Sequence, residues 1–274
     1  MSVPVPLRLR PLEIGDVLDE IFRMYRRHFL LLAGIAVVFS VPLAALAGYG
    51  FFALFSDLIG QASSGQTPDL NAFAPSLIAL GVGSVINFAI TPLLYGALSA
   101  AICQSAAGRP VTWWGAIKAA LRRYLHVAGY LILLVLMSIA FCLFPLWIWI
   151  AVGWVAVLPA MFVENIGLID AMRRSWNLVQ GRWWRTFFIL FLVFVLNYVV
   201  YLALGAFLYL GQSLLSIFVS PYLAVALYEG GVVLASALTH PILQIAIVLV
   251  YFDLRVRKEA LDLFQLAQHV AAPA

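Results

Sequence analysis

Polar side chains interrupt several long apolar stretches of this sequence, and they are the residues with the clearest capacity for chemistry. Glu229 and His240 are the acidic and basic side chains of the stretch 223–252. At 100° per residue, Ser236 and Gln244 fall close to the same helical face as these two. Ionisable groups at membrane depth mark proton and solute pathways. The sequence therefore predicts a candidate polar pathway or, alternatively, a stripe of hydrogen bonds that holds helices together.

Two further apolar stretches carry polar residues. The stretch 77–106 has them at steps of three or four residues, and the stretch 186–210 holds one asparagine near its middle. The residues that complete the candidate pathway are Asn87, Thr91, Tyr95 and Asn197. The same two interpretations, a path for protons or a solute and packing hydrogen bonds, apply to them.

No motif typical of an enzyme accompanies these residues. The sequence has no His-Glu-x-x-His, no Cys-x-x-Cys, no Walker phosphate-binding loop and no Gly-x-Ser-x-Gly nucleophile elbow. Its four histidines stand singly, so they do not suggest a metal cluster. We therefore expect no catalytic residue, no cofactor and no metal.

The composition excludes a water-soluble protein. Hydrophobic residues make up 65% of the 274 residues and charged residues 10%, whereas soluble domains average roughly 45–50% and about 25%. A chain of this size cannot bury so much apolar surface in one interior. The net charge of +4 is too small and too dispersed for nucleic acid. Lipid is the expected surroundings of most of the chain, and membrane lipids are its first expected partners.

Uncharged runs of roughly 20 residues or more, long enough to cross about 30 Å of hydrocarbon, define the expected architecture. We predict an all-α polytopic protein, with a single integral membrane domain over residues 1–274 that ends in a tail at 253–274. The longest run, 125–163, would measure about 58 Å as one helix, and Pro145 is expected to divide it into a hairpin. The six predicted transmembrane helices are 29–55, 77–106, 125–143, 145–163, 186–210 and 223–252.

The basic residues predict an orientation. All 16 lysines and arginines fall before span one, between spans two and three, between spans four and five, or after span six. These segments share one side of a six-span protein, and loops rich in Lys and Arg are retained in the cytoplasm. We therefore expect cytoplasmic N- and C-termini in a multi-pass protein of the cytoplasmic membrane.

Amphipathic helix patterns precede spans one, three and five, and the first covers residues 11–28. The second follows Thr112, a suitable N-cap, and its apolar side includes Trp114 and Leu121. The third contains Asp170 at ion-pair spacing from two arginines, Arg173 and Arg174. Helices of this kind lie among lipid headgroups, where a basic face attracts anionic lipid by about 1 kcal/mol per charge. They serve as plain anchors or bind a specific lipid or partner protein.

The third pattern belongs to the segment Val-Glu-Asn-Ile-Gly-Leu-Ile-Asp-Ala-Met-Arg-Arg-Ser-Trp-Asn-Leu-Val-Gln-Gly-Arg-Trp-Trp-Arg, which starts at Val163. This segment resembles the membrane domain family associated with bacterial glycerophosphoryl diester phosphodiesterases. The opening Arg-Pro-Leu-Glu-Ile-Gly-Asp-Val-Leu-Asp from Arg10 and the ending Tyr-Phe-Asp-Leu-Arg-Val-Arg-Lys-Glu from Tyr251 carry the same resemblance. The matching residues of the first segment are Glu164, Ala171, Arg174, Ser175, Trp176, Leu178, Gly181 and Trp183.

The resemblance implies a protein of the bacterial inner membrane with six helices and a cytoplasmic Ser-Trp segment. It transfers no catalytic residue, because the phosphodiesterase chemistry of the family belongs to a separate soluble domain, and we expect this chain to be the membrane part alone. The candidate cytoplasmic interface comprises Arg173, Arg174, Ser175, Trp176, Gly181, Arg182 and Trp183.

Two functions remain open. The first is a non-catalytic bundle that engages lipid, or a membrane or cytoplasmic partner protein, through its basic surface helices. The second is a transporter or channel for a small polar solute or protons that uses the polar pathway.

Overall fold

The computed structural model describes residues 13–64, 73–139 and 144–259, and these ranges contain helices and no strands. The predicted all-α fold is confirmed for this part of the chain. The first residues of the predicted helix 11–28, the end of the predicted span 125–143 and most of the tail 253–274 lie outside the described residues. The α-helices are α1 (Ile14–Arg27), α2 (Phe29–Ser64), α3 (Ala74–Ala106), α4 (Trp113–Arg122), α5 (Tyr124–Ile139), α6 (Phe144–Gly153), α7 (Val157–Val163), α8 (Leu168–Val179), α9 (Trp183–Leu215) and α10 (Pro221–Glu259).

Five helical stretches are long and apolar enough to cross a membrane, namely α2, α3, α6 with α7, α9 and α10. The α4–α5 pair, bent by 70°, raises the number to as many as six. Several helices are longer than their predicted spans: α2 continues from 55 to Ser64, and α10 continues from 252 to Glu259. Apolar composition marks the length that suits hydrocarbon, whereas helical hydrogen bonding continues into polar sequence. The chain is accordingly a multi-pass membrane protein.

Three short helices, α1, α4 and α8, precede longer apolar helices in the chain. A capping box starts α1, in which the Glu13 side chain accepts from the backbone at Asp16 and the Asp16 side chain from the backbone of Glu13. The predicted N-cap of α4 is confirmed, because the backbone N–H of Gly115 donates to Thr112 Oγ1 over 3.2 Å. Local side chains therefore determine where these two helices begin.

Helices α4 and α8 each bury small residues and expose bulky apolar ones. Ala116 and Ala120 of α4 are fully buried, whereas Trp114 and Leu121 are 73% and 54% exposed. In α8, Ala171 and Ser175 are buried, and Ile169 is 66% exposed. The small side chains let α4 and α8 lie close to the protein, and these bulky side chains face away from it.

The chain divides into two compact units, each built from separate chain segments. Of the described residues, unit 1 contains 13–32, 92–139, 144–195 and 241–259, and unit 2 contains 33–64, 73–91 and 196–240. The largest fully buried side chains of unit 1 include Leu98, Met161, Leu178, Ile189 and Tyr251. All three short helices belong to unit 1.

Unit 2 joins α2 to α10 through small residues. A Cβ added to Gly48 would lie 2.9 Å from the carbonyl oxygen of Ala226, and one added to Gly230 would lie 3.1 Å from that of Ala44. Each helix thus contributes two small residues four positions apart, a spacing that lets backbones approach closely where packing replaces the hydrophobic effect. The T-shaped contact of Phe52 with Tyr222, at 5.3 Å between centroids, extends the same interface.

Candidate functional site

The segment that starts at Val163 folds as the end of α7, a short loop, α8 and the start of α9. Arg174, on α8, donates from Nε to both carboxylate oxygens of Glu164, over 2.9 and 3.0 Å. Its second terminal nitrogen pairs with Glu259 at the end of α10. One guanidinium on α8 therefore joins Glu164, which directly follows α7, to Glu259, the last residue of α10. This forked arrangement suits arginine, and lysine cannot reproduce it.

Two residues of α10 complete what we term the ionic cluster: Glu164, Arg174, Tyr251, Arg255 and Glu259. The Tyr251 hydroxyl donates to Glu164 Oε1 over 2.8 Å, and Arg255 pairs with Glu259 at 3.0 Å. Arg255 also donates to the Tyr251 hydroxyl over 3.2 Å. Two positive and two negative charges thus balance within the cluster.

The electrostatics of Arg174 reflect this pairing. Desolvation by burial lowers its pKa, but the hydrogen bonds and charges of Glu164 and Glu259 outweigh desolvation and raise the pKa above its ordinary value. Arg174 is therefore held firmly in its charged form. The Glu164 carboxylate, with both oxygens engaged, is placed to hold helices together and poorly placed to act as a general base.

Ser175 forms hydrogen bonds to backbone groups at a break in the helical stretch formed by α6 and α7. That stretch is interrupted between Gly153 and Val157. Ser175 Oγ donates to the carbonyl of Gly153 over 2.7 Å and accepts from the backbone N–H of Ala156 over 3.0 Å. Ser175 is fully buried. A hydroxyl can do both, because it is a donor and an acceptor at once.

Trp176 packs beside this break. A Cβ on Gly153 would lie 2.5 Å from the Trp176 ring, so the contact requires glycine at this position. The ring also makes a T-shaped contact with Trp149, with 4.6 Å between centroids. Trp183 adds a further bond, from its indole N–H to the carbonyl of Trp149 over 3.1 Å. The Ser-Trp segment is thus a packing and hydrogen-bonding element.

The end of α10 contributes a second set of ionic contacts. Asp253, buried to 2% exposure, accepts from Arg185 over 2.6 Å and from Arg257 over 2.9 Å. Lys258 donates to the carbonyl of Asn177 and, over 3.4 Å, to that of Gln180. A cation at these last carbonyls stabilises the C-terminus of α8.

The structure divides the predicted cytoplasmic interface. Arg174, Ser175, Trp176 and Trp183 make the internal contacts described above, whereas Arg173, Gly181 and Arg182 are exposed. Gly181 has a φ of +86°, which favours glycine after the helix end. The expected pairing of Asp170 with Arg174 was wrong, because Arg174 turns instead to the carboxylates of Glu164 and Glu259. Binding at the exposed residues stays a prediction.

The predicted polar pathway is also divided. Gln244 of α10 is buried, and its amide oxygen accepts a hydrogen bond from the hydroxyl of Ser99 of α3 over 3.0 Å. This bond is a packing contact between the two helices. The Thr91 hydroxyl donates to the backbone carbonyl and side chain of Asn87, and Ser236 donates to Val233 O in its own helix. These three hydroxyls are therefore satisfied by protein.

The remaining members of the pathway lie as follows. Asn87 is exposed, Tyr95 is half-buried in α3, and Glu229 and His240 are half-buried in α10. Asn197 has a buried amide oxygen without a hydrogen-bond partner in the part of the chain that the structure describes. Transport through these residues stays a prediction.

Tyr251, Arg255 and Glu259 were not predicted as site residues, although they stand in the ending Tyr-Phe-Asp-Leu-Arg-Val-Arg-Lys-Glu that carries the resemblance. Their spacing of four places them on one face of α10, and that pattern was the available signal. What a single helix could not reveal was the partner, because Glu164 and Arg174 approach this face only in the folded unit.

Comparison with known proteins supports the resemblance to a known family. Residues 126–259 match the family model described as the membrane domain of glycerophosphoryl diester phosphodiesterase. The resemblance is confirmed over these residues, which include the whole ionic cluster, whereas the opening segment from Arg10 lies outside the match. No curated protein matches the chain, and no solved structure does.

Proposed function

We propose that this chain is a non-catalytic multi-pass membrane domain that gathers anionic lipid at its basic, cytoplasmic side. The observation that carries the proposal is the pairing, on α4 and around α8, of exposed bulky apolar side chains with exposed cations. This basic surface includes the exposed cations Lys118, Arg173 and Arg182. None of the three forms a salt bridge with the described residues.

The surroundings of these cations suit the membrane interface. Trp114 on α4 and Trp184 at the start of α9 are 73% and 68% exposed. Tryptophan is enriched where headgroups meet hydrocarbon, and each neighbouring Lys or Arg adds about 1 kcal/mol of attraction to anionic lipid. The positive-inside tendency supports placing this surface in the cytoplasm of a bacterial inner membrane.

The ionic cluster supports a non-catalytic role. Its acids and bases contact one another, so they hold α8 against the ends of α7 and α10. A helix held in this way presents the exposed Arg173 at a defined place, while the adjacent Arg174 pairs with Glu164 and Glu259. Rigid presentation of charge is useful to a lipid-gathering surface, since less conformational entropy is lost on binding.

The test compares how closely two fluorescent lipids approach the full chain in liposomes. Energy transfer from tryptophan to dansyl-labelled phosphatidylglycerol should exceed transfer to dansyl-labelled phosphatidylcholine. Replacing Lys118, Arg173 and Arg182 by Gln should bring the two efficiencies together, as should about 0.5 M salt, which screens exposed charges. An unchanged preference in the triple variant would remove the lipid proposal. Loss of a captured partner protein in the same variant would favour partner binding instead.

The transport alternative has one observation of its own, the buried amide oxygen of Asn197. A group of that kind at membrane depth requires a partner, which a passing solute would supply. The flux of protons or of a small polar solute into proteoliposomes tests this function, when it is compared among wild type, Glu229→Gln and His240→Ala. Equal flux in all three would leave the transport idea without support.

A further inference from the structure

An open cavity of about 580 Å³ lies in unit 1 where α3, the α4–α5 bend and the end of α7 meet. Its volume falls in the range of roughly 300–1,000 Å³ that is usual for small-ligand sites. Arg109, Arg122, Arg123 and His126 line it, with Asn165 as a further polar neighbour. Among the described residues that line this basic cavity, none is Asp or Glu.

The positive charge of the basic cavity is not balanced from within. Arg123 donates to the carbonyl of Ile166 over 2.6 Å and to the side chain of Asn165, which are both neutral. Arg109 and Arg122 are exposed and form no salt bridge with the described residues. The ionic cluster is different, because each of its arginines faces a carboxylate. Three guanidinium groups around one opening, without an internal anion, constitute a site for an external one.

The geometry of the turn at Asn165 keeps this site in place. Asn165 has a φ of +56°, a left-handed conformation that is uncommon outside glycine and that asparagine tolerates best. Its side chain and the next carbonyl both accept from Arg123, so the turn and the guanidinium hold each other. Arg123 is therefore positioned before any ligand arrives.

The walls of the basic cavity indicate which anion fits. Cys103 near the end of α3 and Phe162 near the end of α7 contribute an apolar side, and both helices are long or apolar enough to belong to membrane spans. Basic pockets between transmembrane helices at the cytoplasmic boundary bind lipid headgroups. An anion with a hydrocarbon attachment would satisfy both the basic and the apolar lining.

We propose that the basic cavity binds a phosphate group, held by Arg109, Arg122 and Arg123. The source of the phosphate is either the headgroup of an anionic phospholipid or a soluble phosphate compound, and both offer the oxygens that arginine forks recognise. In its lipid form the inference rests on the proposed function, to which it adds a defined site. In its soluble form it is independent of that function.

The experiment uses the full chain in neutral detergent and measures bound phosphatidylglycerol by native mass spectrometry, with phosphatidylcholine as the reference lipid. Wild type should bind one phosphatidylglycerol in preference to phosphatidylcholine. Arg109→Gln with Arg122→Gln should weaken this binding at least tenfold, since two charge-assisted contacts are lost. The matched variant Arg23→Gln with Arg26→Gln carries the same change of charge on exposed side chains of α1, outside both the basic cavity and the basic surface of the proposed function, and should stay within about twofold of wild type. Arg122→Lys, which keeps the charge and loses the fork, should fall between these results.

A second arm titrates inorganic phosphate and glycerol 3-phosphate against the delipidated chain, with melting temperature as the readout. A shift that disappears in the cavity variant, without phosphatidylglycerol binding, would identify a soluble source. Binding of lipid and of phosphate that is equally strong in the cavity variant and in wild type would overturn the proposal. Absence of both kinds of binding in wild type would also overturn it. If only the liposome preference of the Lys118, Arg173 and Arg182 variant fails to change, the proposed function fails and the cavity site stands.

Discussion

Ser175 shows how one small residue can determine the course of a membrane helix. A break in a transmembrane helix exposes backbone groups that lipid cannot satisfy. Ser175 of α8 bonds to both backbone groups at the Gly153–Ala156 break, although it lies 22 and 19 residues further along the chain than these two residues. A serine in this motif therefore has a structural explanation, and its position next to Arg174 does not mark it as a nucleophile.

Replacing Ser175 by Ala should destabilise the chain. Two buried backbone groups would lose their partner, at about 1–3 kcal/mol for each group left unpaired. The melting temperature of the purified chain in detergent measures the effect. Ser84→Ala is the control, because Ser84 is exposed and bonds only to Leu80 O in its own helix. Equal melting temperatures for the two variants would contradict the role given to Ser175.

Arg173 and Arg174 are adjacent, yet they should respond differently to the same substitution. Arg174→Gln removes the closer of the two cations that Glu164 and Glu259 share and leaves Arg255 alone between the two carboxylates, which we expect to cost about 1–3 kcal/mol. That is less than the roughly 3–5 kcal/mol of a fully buried pair, because these side chains are 20–29% exposed. Arg173→Gln should change stability by less than about 0.5 kcal/mol.

Denaturation followed by tryptophan fluorescence measures the free energy of unfolding of the two single variants and compares their losses of stability. Glu164→Gln combined with Arg174→Gln should recover part of the loss, since the carboxylate that has lost its closest cation is then removed. A larger loss of stability in Arg173→Gln than in Arg174→Gln would contradict the conclusion that Arg174 is the structural arginine and Arg173 the exposed one.

At the scale of elements, α8 is held by contacts at several points along its length. Arg174 binds both neighbouring helix ends, Ser175 and Trp176 contact the α6–α7 break, and Lys258 caps the final carbonyls. An amphipathic helix attached only by its apolar face would be free to rotate in the headgroup layer. These polar contacts fix which face is exposed, and they thereby set the direction of its free cations.

The α2–α10 pair of unit 2 is held by close backbone approach, and Gly48 tests it. A methyl group at Gly48 would meet the Ala226 carbonyl at 2.9 Å, so Gly48→Ala should force the helices apart and lower stability by about 1–3 kcal/mol. Gly60→Ala in the same helix has open space and should be neutral or slightly stabilising, because alanine favours helix. Thermal unfolding in detergent compares the two. A smaller loss at Gly48 than at Gly60 would argue against close packing.

At the scale of the whole molecule, the expected orientation leads to a labelling pattern. Lys118→Cys and Arg182→Cys should react with a membrane-impermeant maleimide only after cells are permeabilised. Ile217→Cys, in the exposed connection between α9 and α10, should react in intact cells. Each substitution is introduced singly after replacement of Cys103 and Cys142. Reaction at position 118 or 182 in intact cells would show that the basic surface faces outwards.

Much of the architecture was predictable because its causes are local. Apolar length predicts the long helices, Thr112 marks the start of α4, and the spacing of charged and apolar residues indicates α1, α4 and α8. The candidate interface was predictable only in part. The seven residues of the predicted interface stand close together in one motif, but Ser175 and Trp176 are turned inward and Arg173 outward. Helical periodicity alone did not assign the inward face, because that side of α8 carries polar as well as apolar residues.

The sequence alone determined that this chain belongs in a membrane, that it is helical, and that its cations occupy a few short segments. These follow from composition and spacing, which act over a few helical turns. Only the tertiary structure decided that Arg174 binds Glu164 and Glu259, that Ser175 spans a helix break, and that Arg109, Arg122 and Arg123 share one cavity. Contacts of this kind join residues far apart in the chain. Their formation depends on which helix ends meet, and on how strongly a poorly solvated charge or backbone group requires a partner.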